Sequence, residues 1–167
     1  MSKQSKSLDK AIKEVDVRIQ RIIKAGVSSM YESANQLANI GKEYAQDSIR
    51  HEGTYKQYID KRGNQRMSSA PGEPPASAAG NDLDKSIYSK SISKKNQNPA
   101  IAEFGSTSPY AAALEYGTER MAPRPFMRPA AEKLRSKDAE SVIVSNFAMR
   151  MARKIKSMGH LNVRLDV

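Results

Sequence analysis

The sequence contains no cysteine and no tryptophan, and it has two histidines among 167 residues. The missing cysteine excludes disulfide bonds, thiolate catalysis and cysteine-ligated metal sites. His51 and His160 lie far apart in the chain, and neither has a second histidine or a carboxylate at the spacing of metal ligands. The sequence therefore predicts no metal site and no cofactor, and it favours surface positions for both histidines.

Long apolar runs and nucleotide-binding or catalytic motifs are also missing. No stretch approaches the roughly 18 apolar residues of a membrane span, and residues 1–10 are too polar for a signal peptide. The Gly-x-x-x-x-Gly-Lys, Gly-x-Gly-x-x-Gly and Gly-x-Ser-x-Gly patterns do not occur. We therefore expect neither a membrane protein nor an enzyme.

A metal-dependent nuclease is the enzyme class that motifs alone leave open, because it needs only several acids that converge on one point. The acids near the predicted sheet are Asp82, Asp84, Glu103, Glu115 and Glu119. We expect them to lie on solvated faces or to pair with the abundant basic residues.

Positive charge is what the sequence has in excess, with 28 lysines and arginines against 18 acidic residues. The net charge is +5 over residues 1–66, −1 over 67–117 and +6 over 118–167. This balance favours association with a polyanion without base recognition. The hydrophobic content of 38% is low for a compact globule and indicates a subunit that is partly ordered by a partner.

The length fits a single domain, residues 1–167, of which residues 1–50 form an N-terminal helical region. In that region apolar residues recur at steps of three and four, as in an amphipathic helix. Gly26 and Gly41 lie inside the pattern, and each is a candidate for a bend or break. The apolar positions are Leu8, Ile12, Val15, Ile19, Ile22, Ile23, Val27, Met30, Ala34, Leu37 and Tyr44.

Residues 64–80 form a predicted extended loop, because proline or glycine occupies four of the five positions 71–75. These four are Pro71, Gly72, Pro74 and Pro75. A loop of this length in a small domain is either disordered or functional. We favour an arm that docks on a neighbouring subunit.

Residues 81–167 form the predicted core of sheet and helix. Two strands, 83–95 and 99–106, make an antiparallel hairpin with Ile87, Ile92, Ile101 and Phe104 directed inward. The tail 161–167 alternates between apolar and polar residues and is predicted to add a strand to this sheet.

Helical signals follow the hairpin. Ser108 and Pro109 predict the start of a short helix over 110–116, and Gly117 its end. The prolines of Pro123–Pro129 predict an extended segment, followed by a long helix from Pro129 to Gly159. The predicted fold class is therefore α+β: a long N-terminal helix, a small antiparallel sheet of a hairpin plus a C-terminal strand, a short helix and a long C-terminal helix packed on the sheet.

A basic cluster lies near the end of the long C-terminal helix. Its members are Arg150, Arg153 and Lys154. Two interpretations fit: the negative end of the helix dipole favours cations there, or the cluster contacts nucleic acid.

The segment Leu114-Glu115-Tyr116-Gly117-Thr118, followed by Ala122-Pro123-Arg124-Pro125-Phe126-Met127-Arg128-Pro129-Ala130, resembles the hallmark of a family of phage tail-completion and head-to-tail joining proteins. That family includes proteins similar to the minor tail protein Z of lambda-like phages. Upstream, Ser69–Pro75 and then Gly80, Leu83, Ser86 and Ile87 match the family's proline-rich loop and strand entry. The family differs in favouring threonine where Ala79 stands and arginine where Asp84 and Lys85 stand.

The resemblance implies a structural virion protein of a long-tailed phage, made in the host cytoplasm, that completes the tail at the neck and joins it to the head. It implies a homo-oligomeric ring, for which we expect six copies, around the path of the genome DNA. We expect the arm at 64–80 and the N-terminal helix to make the contacts between neighbouring subunits. The implied neighbours are tail terminator, head-closure or connector, and tail-tube proteins. In such a ring Arg150, Arg153 and Lys154 would contact DNA without reading bases.

The motif residues have two readings, as interface residues of the ring or as residues that fold the subunit. The set comprises Pro71, Gly72, Pro74, Pro75, Glu115, Tyr116, Gly117, Arg124, Pro125, Phe126, Arg128 and Pro129. Folding is the favoured role for Gly117, Pro125, Phe126 and Pro129, because a helix stop and a stiff extended segment are what those residues supply. The alternative function is a free-standing, non-specific nucleic-acid-binding protein.

Overall fold

The structure is a computed structural model that describes residues 3–51, 56–59, 61–75 and 82–159. It is α+β, with a long N-terminal helix, antiparallel strand pairs, short helices and a long C-terminal helix, which confirms the predicted fold class. The helices are α1 (Lys3–His51), α2 (Asp82–Ser86), α3 (Ala111–Tyr116), α4 (Met127–Leu134) and α5 (Lys137–Ser157). The strands are β1 (Lys56–Ile59), β2 (Gln65–Ser68), β3 (Ile87–Ser91) and β4 (Ala102–Ser106). The predicted C-terminal strand 161–167 lies outside the described residues.

Helix α1 is the scaffold on which β3, β4, α4 and α5 pack. It runs as one continuous helix through Gly26 and Gly41, so neither glycine breaks it. Gly41 is instead a point of close approach. A Cβ there would come within 2.7 Å of Leu134 Cδ1 and of the Phe104 ring.

Small side chains form the buried face of α1. In order along the helix they are Ala25, Ser29, Ser33, Ala38, Ala45 and Ser48, joined at the end by Ile49. Small residues let the neighbouring elements approach the helix backbone closely, much as they do where helices cross. The pattern of large apolar residues did not identify this face.

The hairpin predicted from residues 83–106 exists but is shorter at both ends. Strands β3 and β4 pair antiparallel from Ile87 opposite Ser106 to Ser91 opposite Ala102, and residues 82–86 are helical. Ile87 is buried and Phe104 packs against the core, as predicted. Ile92 and Ile101 lie beyond the strand ends and are about half exposed, so the prediction that they point inward is wrong.

A second hairpin, formed by β1 and β2, was not predicted. The two strands pair antiparallel in a register that runs from Lys56 opposite Ser68 to Ile59 opposite Gln65. Strand β2 therefore occupies the start of the segment 64–80 that was expected to be an extended loop. Gly63, in the connection, has φ of +82°, a conformation that glycine adopts readily.

Helix α3 ends where the sequence predicts. Gly117 follows it with φ of +77°, and its N–H donates to the carbonyl of Ala113 at 2.9 Å. The start differs from the prediction, because no side chain caps α3. Ser108 contributes its backbone carbonyl instead, which accepts the N–H of Ala111 at 3.1 Å.

The prediction of one long helix from Pro129 to Gly159 is wrong, because the chain forms two helices with a break at residues 135–136. Ser136 has an extended backbone, and its Oγ accepts the N–H of Ala139 at 3.3 Å, which caps α5. The preceding helix α4 begins at Met127, so Pro129 lies inside its first turn, where the missing N–H costs no helical hydrogen bond.

The apolar core is small and lies at one end of α1. Its buried members are Ala45, Ile49, Leu83, Ile87, Phe126 and Ala130. Within the described residues, no helix combines the length and the apolar composition that crossing a membrane requires. The core thus joins the C-terminal half of α1 to the motif segment, and the N-terminal half of α1 extends away from it.

Candidate assembly site

The Glu115 carboxylate holds the motif together. Its side chain is buried, with the residue 6% exposed, at the end of α3. Oε2 accepts the backbone N–H groups of Phe126 at 2.9 Å and Met127 at 3.0 Å, and Oε1 accepts that of Arg128 at 2.9 Å. These N–H groups lie at the start of α4, where helical donors have no partner within the helix and the dipole favours a negative charge. We name this arrangement the Glu115 clamp.

The extended segment before α4 is fixed alongside α3. The N–H of Arg124 donates to the carbonyl of Leu114 at 2.7 Å, and Phe126 is fully buried in the core. Pro125, between them, restricts the backbone to the extended geometry that the clamp requires. Gly117 is needed for the same connection, because a Cβ there would lie 2.8 Å from the carbonyl oxygen of Met121.

The described part of the proline-rich loop packs on this same segment of its own chain. The Arg124 guanidinium donates from Nε and Nη2 to the carbonyl of Ser69, both at 3.3 Å. The N–H of Gly72 donates to the carbonyl of Pro123 at 2.9 Å, and Gly72 has φ of +84°. Pro75 is buried, Pro74 is half-buried and Pro71 is exposed. The loop therefore reinforces the subunit up to residue 75, and residues 76–80 lie outside the described ones.

Two motif side chains face solvent beside the clamp. Tyr116 is 71% exposed, and the Arg128 guanidinium carbon lies 5.8 Å from the centre of its ring. This distance is that of a cation–π contact. The structure thus divides the motif into a buried part, Glu115 and Phe126, and an exposed pair, Tyr116 and Arg128.

The predicted DNA-facing residues separate into two groups. Arg150 donates to Gln36 Oε1 at 2.7 Å and to Ser33 Oγ at 3.3 Å, both in α1. Lys154 Nζ lies 3.1 Å from Glu32 Oε1. Arg150 and Lys154 therefore attach α5 to α1, whereas Arg153 is exposed.

The charge balance around Glu32 explains this attachment. Partial burial acts to raise the pKa of Glu32, but the hydrogen bond and charge of Lys154, the hydroxyl of Ser28 and the charge of Arg150 together outweigh it. The pKa of Glu32 is consequently lowered from its ordinary value of 4.5. Its carboxylate is ionised at neutral pH and links the two long helices.

Three of the five acids that could have formed a nuclease site are engaged separately. Asp84 pairs with Arg50 at 2.7 Å, Glu103 pairs with Lys90 at 2.9 Å, and Glu115 forms the clamp. Among the residues that the structure describes, no three histidine, aspartate or glutamate side chains lie close enough to hold a metal ion. The side chains of His51 and His160 lie outside the described part.

The N-terminal half of α1 carries a stripe of large apolar side chains that its own chain leaves exposed. We name this set the apolar stripe: Leu8, Ile12, Val15, Ile19 and Ile22, between 43% and 63% exposed. The sequence pattern identified these residues as one face of an amphipathic helix, and the N-terminal helix was expected to contact neighbouring subunits.

An apolar groove follows further along α1, where the hairpin connection and α5 meet it. The groove has a volume of about 450 Å³. Its apolar lining includes Met30, Leu37, Pro99, Ile143, Val144 and Phe147. The chain therefore presents two apolar surfaces, one projecting and one concave.

Comparison with family models, with curated proteins and with solved structures gives no match in any of the three. The resemblance to tail-completion proteins accordingly rests on the motif residues alone.

Proposed function

We propose that this chain is a structural virion protein of a tailed bacteriophage, a tail-completion or neck component that joins the tail to the head and forms part of the ring through which DNA passes. The motif resemblance supports the identity of the assembly. The observation that carries the assembly role is the apolar stripe, which the chain builds and does not bury.

The spacing of the stripe indicates that its partner is a helix or a helix-lined surface. Its residues follow each other at steps of four, three, four and three, an average of 3.5, which is the repeat of helices that pack side by side. β-Branched residues dominate the stripe, and they favour an isolated helix in water less than straight-chain residues do. A projecting helix of this composition gains stability when a partner covers it.

A second copy of the chain is the partner that this geometry favours. A ring requires a heterologous contact, in which one surface meets a different surface of the next subunit. The stripe projects and the groove is concave, both are apolar, and they lie at different levels of α1. Each copy can therefore place its stripe in the groove of the next.

The expected strength of one such contact fits a closed ring better than an isolated pair. Burying a large aliphatic side chain completely contributes about 1.5–3 kcal/mol, so five half-exposed side chains contribute about 5 kcal/mol in total. The groove side adds a similar amount. Because association itself costs about 4–15 kcal/mol, a single contact is marginal, and a ring that gives each subunit two contacts is favoured.

The test is the oligomeric state of the full-length chain, measured by light scattering after size exclusion over a range of concentrations. Ile19→Asp places a charge in the stripe and is expected to give monomers. Val17→Asp is the matched control, because Val17 is exposed to the same degree, 49% against 48%, on the opposite side of the helix. Equal behaviour of the two variants would contradict the proposal.

Electron microscopy of the intact particle tests the location and the expected sixfold number. Labelled subunits should appear at the neck, beside the tail terminator, the connector or head-closure protein and the tail tube. A chain that is missing from purified particles would rule out the virion role.

The alternative, a free-standing nucleic-acid-binding protein, is favoured by the exposed basic residues on the other side of α1. These include Lys10, Lys13, Arg21 and Lys24. This function predicts that a monomer binds DNA in a salt-sensitive manner without assembling. A chain that stays monomeric at all concentrations while binding DNA would support the alternative over the ring.

A further inference from the structure

Four basic side chains from three separate elements line one open cleft near the end of α5. They are Arg21 and Lys24 of α1, Lys95 of the β3–β4 connection and Lys154 of α5. The cleft has a volume of about 490 Å³, and none of the described residues that line it is acidic. We name it the basic cleft.

The walls of the basic cleft are held in place by hydrogen bonds. In the β3–β4 connection, the N–H of Gln97 donates to the carbonyl of Lys94 at 2.9 Å, and Gln97 Oε1 accepts the N–H of Lys94 at 3.1 Å. On the helical side, Lys154 is anchored by Ser28 and Glu32, each at 3.1 Å. The positive charges thus converge on a formed surface.

The helix dipole does not account for this many cations. The C-terminal end of α5 carries a partial charge of about −0.5, which favours one nearby cation, and Lys154 already pairs with Glu32. Arg21, Lys24 and Lys95 are exposed and add three full positive charges. An anion with several charges, bound in the cleft, would offset their mutual repulsion.

The other lining residues indicate which anion fits. Ser28, Asn96 and Ser157 bring hydroxyl and amide groups, which hydrogen-bond to phosphate oxygens. No aromatic side chain lines the described cleft, so base stacking is not provided for. Because the cleft is open, it suits a continuous chain of phosphates better than an enclosed small molecule.

The basic cleft and the apolar stripe lie on different sides of α1. At 3.6 residues per turn, the directions of Arg21, Lys24 and Ser28 are about 150° away from the mean direction of the stripe. A neighbouring subunit on the stripe therefore leaves the cleft accessible.

We propose that the basic cleft binds the phosphate backbone of DNA without reading its sequence. The inference rests on the proposed function, because it supplies the surface at which the proposed ring would contact the DNA that passes through it. The expected DNA contact is then not Arg150, which hydrogen-bonds to α1. It is made by Arg21, Lys24 and Lys95 instead.

The experiment measures binding of the full-length chain to a short fluorescent duplex of mixed sequence by anisotropy, between about 50 and 200 mM salt. The cleft variant combines Arg21→Glu, Lys24→Glu and Lys95→Glu. The control variant combines Lys61→Glu, Arg120→Glu and Lys137→Glu, three exposed positions outside the cleft, so that both variants change the net charge equally. The oligomeric state of every sample is measured in parallel.

The cleft variant is expected to bind about 10²-fold more weakly at 0.1 M salt, with the slope of log affinity against log salt smaller by about 3, because three phosphate contacts are lost. The control should keep most of the affinity, and both variants should keep the native oligomeric state.

Equal loss in the two variants would overturn the inference, because binding would then follow the net charge alone. Unchanged affinity in the cleft variant would overturn it as well, because DNA would then bind elsewhere on the chain. Either result leaves the ring to be judged by the oligomeric state and by Ile19→Asp. Conversely, cleft-dependent DNA binding by a chain that never assembles would support the cleft and refute the ring.

Discussion

Replacing Glu115 by alanine tests the Glu115 clamp directly. The substitution removes the acceptor of three backbone N–H groups and the negative charge at the start of α4. A hydrogen bond to a charged group contributes about 1.5–3 kcal/mol, and loss of a helix cap costs up to about 2 kcal/mol. The three bonds share one carboxylate and are not additive, so we expect the free energy of unfolding to fall by about 3–5 kcal/mol.

That loss is a large part of the roughly 5–15 kcal/mol by which a domain is stable. For a chain of 167 residues it corresponds to a fall in Tm of about 6–20 °C. Glu115→Gln should lose about half as much, because its amide oxygen still accepts hydrogen bonds while its NH2 group faces other donors. Glu119→Gln, at an exposed position, is the control and should change stability by less than about 0.5 kcal/mol.

The assay is thermal unfolding followed by circular dichroism, with urea denaturation to obtain the free energy. All variants are compared at one protein concentration, because assembly raises the apparent stability. A Glu115→Ala protein that melts within about 2 °C of the native chain would show that the clamp does not stabilise the fold, and the structural explanation of the motif would fail.

Three further predictions concern stability measured by urea denaturation. Gly41→Ala should lower the free energy of unfolding by about 1–3 kcal/mol, because its Cβ would overpack against Leu134 and Phe104. Gly26→Ala should raise it by up to about 1 kcal/mol, because the nearest atom to its Cβ would be 3.9 Å away. A change of the same sign in both variants would contradict the close approach at Gly41. Gly117→Ala should cost at least about 1–2 kcal/mol because of its positive φ, and an unchanged midpoint would disprove the strain. Glu32→Gln should be less stable than the native chain at neutral pH. The lowered pKa of Glu32 means that its contribution is fully present above 4.5 and is lost as the pH falls from 4.5 through that lowered pKa, so the difference should shrink on acidification. A difference that does not change with pH would refute the role of the ion pairs.

The sequence predicted the existence of α1 well but not the use of its faces. A hydrophobic pattern detects large apolar residues, and it does not distinguish those buried by the same chain from those that are left for a partner. In the C-terminal half of α1 the interior is made by Ser29, Ser33 and Gly41, which the pattern passes over. The same pattern therefore contains exposed residues such as Ile12 and Ile19 and a residue that packs against the core, Tyr44.

The sequence around the break between α4 and α5 contains a local pattern for a helix start, but the apolar spacing across it predicted a continuous helix. Ser136 followed by Asp138 and Glu140 is a typical helix start. Apolar residues nevertheless continue at helical spacing across it, and this continuity predicted a single helix. The β1–β2 hairpin was missed for the opposite reason, since its strands are mostly polar and Gly63 was the main local sign of a turn.

The sequence singled out the segment around Glu115 and Phe126, but not the hydrogen bonds that hold it. The side chain that caps a helix usually belongs to a residue within about three positions of the helix start, and sequence rules for capping assume that spacing. Glu115 reaches the start of α4 from eleven to thirteen residues earlier. Only the fold brings the two together, through the turn at Gly117 and the extended segment before Phe126.

Leu134 and Phe104 pack so close to Gly41 that a Cβ there would lie 2.7 Å from each of them, and this packing limits rotation of α1 about its own axis. Packing inside the subunit therefore determines the direction in which the N-terminal end of α1 projects. In a closed assembly the angle between successive copies determines how many fit around the circle. The curvature of the proposed ring, and with it the width of its opening, would then depend on the packing at Gly41, one helical turn from the groove residue Leu37.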